Sequence, residues 1–275
     1  MTARSPRRRL AVAATAAVAA AGVLLAGCTG GDPGSGSSPS RLDEILSSGE
    51  LHVGTTLQFE PQMFVDDDGN PAGYDIDLAQ LMADDLGVEL KVDDQEFEAL
   101  IPGLLADQFD LISVGLVNTP ERAKSVWFSD PYVPYNQVLL GNSQYPAGTT
   151  VADLDEPGKV ITVLTGSTAA ELAKRSFQNA TITELDQDAA LLEVSSGRAD
   201  ATIVEEYLAG PYVKANPDTT LLLNGGEAFS TQYGAYALPQ GDVKWKTWVD
   251  NWLAYRTADG TLDAEYRKWI EPTLG

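Results

Sequence analysis

One cysteine and one histidine stand among 275 residues, and those two scarcities exclude much chemistry. A lone Cys28 permits no disulfide within the chain. A zinc site of the usual kind needs more histidine or cysteine than exists here. Any Ser-His-Asp or Cys-His nucleophile system would have to use His52, which lies in the strand-like Leu51-His52-Val53-Gly54 with no supporting motif around it. His52 therefore reads as a strand residue with a satisfied ring. No phosphate-binding glycine loop of the Walker or dinucleotide type is present. Asp66-Asp67-Asp68-Gly69-Asn70 lacks the spaced ligands and terminal glutamate of an EF-hand and reads as a hairpin turn. No metal and no cofactor is expected. Basic residues are also scarce, 18 Lys+Arg against 40 Asp+Glu for a net charge of −22. Such a balance argues against nucleic acid and against docking on anionic lipid headgroups; its plainest meaning is a well-solvated secreted surface.

The basic residues that exist are unevenly placed. Arg4, Arg7, Arg8 and Arg9 precede an alanine-rich apolar stretch from Leu10 to Ala26, and Leu25-Ala26-Gly27-Cys28 ends it. This resembles the lipobox of bacterial lipoproteins, in which the signal is cut before the cysteine and the cysteine is acylated. Residues 1–27 are then a lipoprotein signal peptide, and Cys28 is the lipidation site. The alternative is an uncleaved anchor, but an alanine-dominated stretch of this length is a marginal membrane span. The arginines leave Sec and twin-arginine export both open. Residues 28–40, rich in Gly, Ser and Pro, read as a flexible tether with a reach of roughly 20 Å. Several acyl chains hold firmly where one holds weakly. The expected location is the extracytoplasmic face of the cell membrane, lipid-anchored. Loss of the four arginines leaves 14 Lys+Arg against 40 Asp+Glu, so −22 becomes −26.

The remaining body of about 235 residues suits two compact lobes. Strand-like and helical segments alternate along it. Leu51–Thr55, Met63–Val65, Val88–Val92, Leu111–Val117, Lys159–Leu164 and Ala201–Glu205 read as strands. Asp75 can cap a helix carrying Ile76, Ala79, Met82, Ala83 and Leu86, with Gly87 as its stop. Phe97, Leu100, Ile101, Leu104 and Leu105 mark another helix, begun or interrupted by Pro102. Ala169–Ser176, Ala189–Gly197 and the segment from Tyr207 read as further helices. Alternation of this kind implies an α/β fold with parallel sheets flanked by helices. Trp245, Trp248, Val249, Trp252 and Leu253 recur at helical spacing and read as core.

Thr119-Pro120-Glu121-Arg122 carries the sharpest chemical signal. Thr119 reads as an N-cap and Pro120 as the first helical residue, which puts Arg122 in the first turn. There the helix dipole disfavours a cation by a few tenths to about 1 kcal/mol. Either Arg122 pairs with Glu121 or a nearby aspartate on the surface, or its bidentate fork meets a carboxylate or phosphate. A second strand delivers Gly166-Ser167-Thr168 to another helix start, offering free N–H groups and two hydroxyls. Glu205 and Glu206 end a third strand, and Phe59 can supply an apolar wall. Ligands of open parallel sheets sit beyond the carboxyl ends of strands. Anion donors, one acid and an aromatic face describe a pocket for a small zwitterion.

Leu51-His52-Val53-Gly54-Thr55, Gly73-Tyr74-Asp75-Ile76-Asp77-Leu78, Leu100-Ile101-Pro102-Gly103-Leu104, Thr119-Pro120-Glu121-Arg122 and Phe128-Ser129-Asp130-Pro131-Tyr132 occur in this order. Gly197-Arg198-Ala199-Asp200-Ala201 and Asp259-Gly260 come after them. Together these motifs resemble the family 3 extracellular solute-binding proteins, which serve polar amino acid ABC importers. The resemblance implies a two-lobed, Venus-flytrap fold of the periplasmic-binding-protein type II class, with two crossovers between lobes. Lobe 1 would comprise residues 41–136 and 233–275, and lobe 2 residues 137–232. It also implies a receptor that closes on a small zwitterionic ligand and delivers it to ABC permease and ATPase subunits, without catalysis. Arg122 matches the arginine that clasps the ligand's α-carboxylate, and Thr168, with Ser167 beside it, the helix-start donor. Glu205 falls where the family usually has an aspartate for the α-ammonium. Phe59 matches the aromatic residue packed on the ligand, and Gly115 a backbone contact.

Three departures stand out. Val117 replaces the usual hydroxyl residue, removing a hydrogen bond worth about 0.5–1.5 kcal/mol net. Glu205 is one methylene longer than aspartate. Glu60-Pro61-Gln62-Met63 replaces the usual Pro-Pro-aromatic run, so Glu60 either favours a cationic ligand or faces solvent. Two rival functions remain compatible with the sequence, because fold does not fix function. One is an enzyme on the same fold, a cyclohexadienyl dehydratase acting on prephenate or arogenate with Glu205 or Glu60 as acid or base. The other is a sensor that presents its liganded form to a membrane kinase.

Overall fold

The computed structural model describes residues 39–274, which cluster as one compact unit from Pro39 onward. Cys28, the signal segment and nearly all of the tether lie outside the described residues. The backbone of the fold is a ten-stranded sheet. Eight of its strands position the site: β1 (Glu50–Thr55), β2 (Glu89–Asp94), β3 (Leu111–Val117), β4 (Val133–Asn142), β5 (Val160–Leu164), β6 (Thr181–Leu185), β7 (Ala201–Glu205) and β8 (Ser230–Leu238). They lie in the order β6-β5-β7-β4-β8-β3-β1-β2.

The expected parallel sheets are there as two triplets. In one, β1 pairs in parallel with both β2 and β3; in the other, β5 pairs in parallel with both β6 and β7. The alternation of strands and helices did not announce what joins them. The long strands β4 and β8 pair antiparallel with each other, and each pairs antiparallel with one triplet. The whole is therefore mixed rather than parallel, a two-lobed α/β fold in which a continuous sheet runs from one triplet to the other. The expected crossover positions, 136–137 and 232–233, fall inside β4 and β8, where Gln137 faces Ser230 and Tyr135 faces Gln232.

Packing obeys the apolar pattern. The helix Tyr74–Leu86 buries Leu78, Ala79, Met82 and Ala83 and stops at Gly87 in the left-handed conformation. It starts at Gly73 rather than at Asp75, whose side chain is buried instead of capping. The helix Val243–Ala258 buries Trp245, Val249, Trp252 and Leu253, so the tryptophan stripe is core. Asp242 fastens that helix to the start of the described chain. Its carboxylate accepts from the Trp245 N–H at 2.9 Å, the Ser40 hydroxyl at 2.8 Å and the Arg41 N–H at 2.6 Å. A second apolar cluster, with Leu139, Ile161, Val163, Phe177 and Ile203, fills the space around β5 and β7. The acidic run is the expected hairpin turn: Asp66 carboxylate accepts from the Asp68 and Asn70 N–H groups between strands Met63–Val65 and Pro71–Ala72. His52 sits in β1 with its ring 3.3 Å from both Asp93 and Glu50.

Candidate functional site

The carboxyl ends of β3, β5 and β7 and the turn after β1 face one small cavity of about 30 Å³. Phe59, Gly115, Val117, Arg122, Ser167, Thr168 and Glu205 all line it. Glu60 does not: it is exposed, next to the cis peptide bond to Pro61. Phe97, Met63, Leu164, Tyr135 and Tyr207 complete the walls, and sequence reasoning assigned none of these to the site. A chamber this small cannot hold an amino acid, so entry requires the lobes to part or the lining side chains to turn.

Arg122 reaches the cavity from a tighter structure than expected. Thr119 Oγ1 does accept from the Arg122 N–H, at 3.2 Å, as an N-cap would. Yet the segment closes only one 3₁₀ turn, Arg122–Lys124, before Trp127. Without a helix behind it there is no macrodipole to oppose the cation, which corrects the first-turn argument. The guanidinium donates to Val117 O at 2.9 Å and, across the cavity, to Gly166 O at 3.1 Å. It also lies over the Phe97 ring, 5.6 Å from the centroid, a contact worth about 0.5–1 kcal/mol or more when desolvated. Glu121, the alternative surface partner, pairs with Lys124 instead. Among the described residues no carboxylate pairs with Arg122, and burial lowers its pKa.

The opposite wall is built differently. Ser167 is the N-cap of the helix Thr168–Ser176, its hydroxyl accepting from Ala170 N–H at 3.1 Å and donating to Leu164 O at 2.7 Å. Thr168 donates to Gln232 Oε1 at 2.6 Å and accepts from Gln137 Nε2 at 3.3 Å. Both hydroxyls are engaged with protein. Glu205 ends β7 at the start of the helix Glu206–Ala215. Burial raises its pKa, and among the described residues no cation pairs with it. Glu206 points elsewhere and accepts from Asn136 Nδ2 at 2.8 Å.

Beneath β3 lies a polar network that sequence reasoning missed. Gly115 has φ +56°, and a Cβ there would sit 1.8 Å from the Tyr135 hydroxyl, so only glycine fits. Its N–H donates to the Tyr132 hydroxyl at 2.9 Å, and Tyr132 donates to Asp75 at 2.7 Å. Gln62 Nε2 donates to the other Asp75 oxygen at 2.9 Å, and Tyr135 donates to Gly115 O. Asp75 is fully buried without a cation, and its pKa is pushed up to about 7 by desolvation, against the two hydrogen bonds. The signal was available: Asp75 precedes Leu78, Ala79 and Met82 at helical spacing, which places an acid on the buried stripe.

A wider groove of about 640 Å³ lies elsewhere, lined by Thr119, Ala123, Trp127, Phe128, Val243 and Lys246 among others. Its one cation, Lys246, is paired with Asp250 at 2.5 Å. The smaller chamber, whose basic Arg122 and acidic Glu205 have no ion-pair partner among the described residues, is the better candidate.

Known proteins of similar sequence and shape include binding proteins and an enzyme. The family model for bacterial extracellular solute-binding proteins, family 3, matches residues 51–272. A cyclohexadienyl dehydratase of Pseudomonas aeruginosa is 29% identical over 234 residues, covering 84% of this chain and 87% of that protein. The arginine-binding extracellular protein ArtP of Bacillus subtilis is 34% identical over 178 residues, covering 62% and 66%. Among solved structures, the ancestral amino acid-binding protein AncCDT-1, a precursor of cyclohexadienyl dehydratase, superposes with a TM-score of 0.79 at 35% identity. It covers 84% of this chain and 100% of that one.

Proposed function

This chain belongs to the bacterial extracellular solute-binding proteins, family 3, and we propose that it captures an amino acid or similar small zwitterion between its lobes for an ABC permease and ATPase. One observation carries the reading: an unpaired guanidinium, Arg122, and an unpaired carboxylate, Glu205, line the same chamber. Arg122 clasps the α-carboxylate and Glu205 the α-ammonium, with Phe59 against the ligand body and Gly115 and Thr168 beside the carboxylate. Lobe 1 is residues 41–136 with 233–275, and lobe 2 is 137–232. Closure is stabilised by contacts made only when the lobes meet, of which the Arg122 bond to Gly166 O is one. Acylated Cys28 holds the body to the membrane; no helix among the described residues is long and apolar enough to cross one. Isothermal titration of the purified protein with a set of amino acids tests the reading. Micromolar or tighter binding of at least one supports it, and heats of dilution throughout refute it.

A second reading has its own support. Burial favours the protonated form of Glu205, which suits a general acid as well as an ammonium receptor, and one relative of similar length is a cyclohexadienyl dehydratase. In that case Glu205 donates a proton to a departing hydroxyl. Turnover of prephenate or arogenate, lost in Glu205→Gln, would establish it; inert substrate would leave the receptor reading alone.

A further inference from the structure

From the charges and walls of the chamber, we infer that the ligand is a neutral amino acid with an apolar side chain, not a cationic one. The inference rests on the amino-acid reading and concerns the third substituent of the ligand. The chamber lining holds one basic and one acidic side chain, Arg122 and Glu205. A neutral zwitterion cancels both. An amino acid with a cationic side chain brings a second positive charge, and Glu205 can neutralise only one of the two. The other would lie in a desolvated chamber that already contains a guanidinium, where an unpaired charge is strongly disfavoured.

No other acid lines the chamber, and those around it are exposed or engaged: Glu98, beside Gly166, is exposed, and Asp75 beneath β3 is held by Tyr132 and Gln62. Asp94 accepts from the Leu57 N–H at 3.0 Å, and Glu96 accepts from Gln58 at 3.3 Å. Glu184 is bound to Lys174 at 2.8 Å and accepts from the Gly166 N–H at 3.3 Å. Glu60, the one residue whose type suggested cationic preference, is exposed and outside the lining. None of these carboxylates lines the chamber. The Ser167 and Thr168 hydroxyls have protein partners already, so they offer little to a polar side chain. What remains is mostly apolar or aromatic: Phe59 and Phe97 stand with ring centroids 6.4 Å apart, next to Met63, Leu164 and Val117, with Tyr135, whose hydroxyl is bound to Gly115 O, and Tyr207 completing the wall.

The relatives include an arginine-binding protein, so the prediction separates this chain from that specificity. Titration calorimetry of the purified wild-type protein at pH 7.5 would compare leucine, methionine and phenylalanine with arginine and lysine. At least one apolar amino acid is expected to bind ten times or more tighter than either cationic one. Arginine or lysine binding as tightly as the best apolar ligand would overturn this inference while leaving the amino-acid reading intact. Failure of all five to bind would overturn this inference. If the remaining amino acids also fail, the reading beneath it falls as well.

Discussion

The turns that leave β3 and β5 begin alike and end unlike. Each departs from the carboxyl end of a strand in a parallel triplet and enters the same chamber, and each carries a hydroxyl residue that caps the next segment. After β5 the cap introduces a nine-residue helix, and its hydroxyls are tied to Leu164, Ala170, Gln137 and Gln232. After β3 the cap introduces a single 3₁₀ turn, which projects a guanidinium bonded only to carbonyl oxygens. Carbonyls can be exchanged for a carboxylate with a net electrostatic gain, because a carboxylate brings the opposite charge and two oxygens that match the guanidinium fork. Thus similar local topology leaves a guanidinium with exchangeable carbonyl partners on one side and hydroxyls held by protein on the other.

The largest expected break in that comparison is Arg122→Ala. Loss of charge-assisted hydrogen bonds worth about 1.5–3 kcal/mol should weaken binding of the best amino acid tenfold to more than a hundredfold. Unchanged affinity by calorimetry would remove Arg122 from the site.

The floor under β3 provides the next test, through pH. Asp75 titrates near 3.8 when unfolded and at about 7 when folded. Between those values the native state holds the proton and the unfolded state does not. Stability should therefore fall as pH rises from about 4 to 7, by no more than about 1.4 kcal/mol per unit for this group. Below pH 4 both states are protonated and the slope from Asp75 vanishes. Asp75→Asn should flatten the thermal-melt profile between pH 5 and 7, with the buried Gln62 Oε1, unpartnered in the wild type, available to the new amide. An unaltered slope in the variant would assign the pH response to other groups.

Ser167→Ala addresses the wall side. Loss of an N-cap should lower unfolding free energy by about 1 kcal/mol, while ligand affinity changes less than threefold. A tenfold loss of affinity with little loss of stability would make Ser167 a ligand donor and erase the contrast between the turns. Val117→Thr should have the smallest effect. A hydroxyl beside Arg122 would add about 0.5–1.5 kcal/mol if it reaches the carboxylate, a gain of tenfold at most; no gain would place the carboxylate away from the end of β3.

These differences explain what the sequence could and could not reveal. That Arg122, Glu205 and Phe59 line one cavity was legible because each ends or soon follows an apolar strand, where a charge or an aromatic ring has few structural uses. Ser167 and Thr168 were legible as a helix start, but a sequence does not say whether a hydroxyl is free, and the partners Gln137 and Gln232 lie on β4 and β8. Those strands were missed because Val133-Pro134-Tyr135-Asn136-Gln137 contains a proline and two amides with no long apolar run. They form strands because each completes the ladder of the other. Asp75 was placed as a cap by its residue type, whereas its spacing with Leu78 and Met82 fixed its burial. Lining residues such as Leu164 and Tyr207 carry no chemical mark at all; only the convergence of β3, β5 and β7 assigns them.

The clasp at Asp242 bears on the order in which the molecule is assembled. It joins Ser40 and Arg41 to the helix bearing Trp245 across 202 positions of chain, whereas the pairing of β5, β6 and β7 spans only nearby segments. A contact so distant in sequence cannot form until the chain has emerged as far as Asp242, while the β5–β7 triplet can already be packing. Trp245, fully buried and bonded through its indole N–H to Asp110 O at 3.1 Å, therefore reports the closing event. Topologically distant contacts form slowly relative to local ones, so in a variant that keeps Trp245 as its one tryptophan, fluorescence should lag behind the appearance of secondary structure. The joint that fastens the start of the described chain to the Trp245 helix thus doubles as its clock.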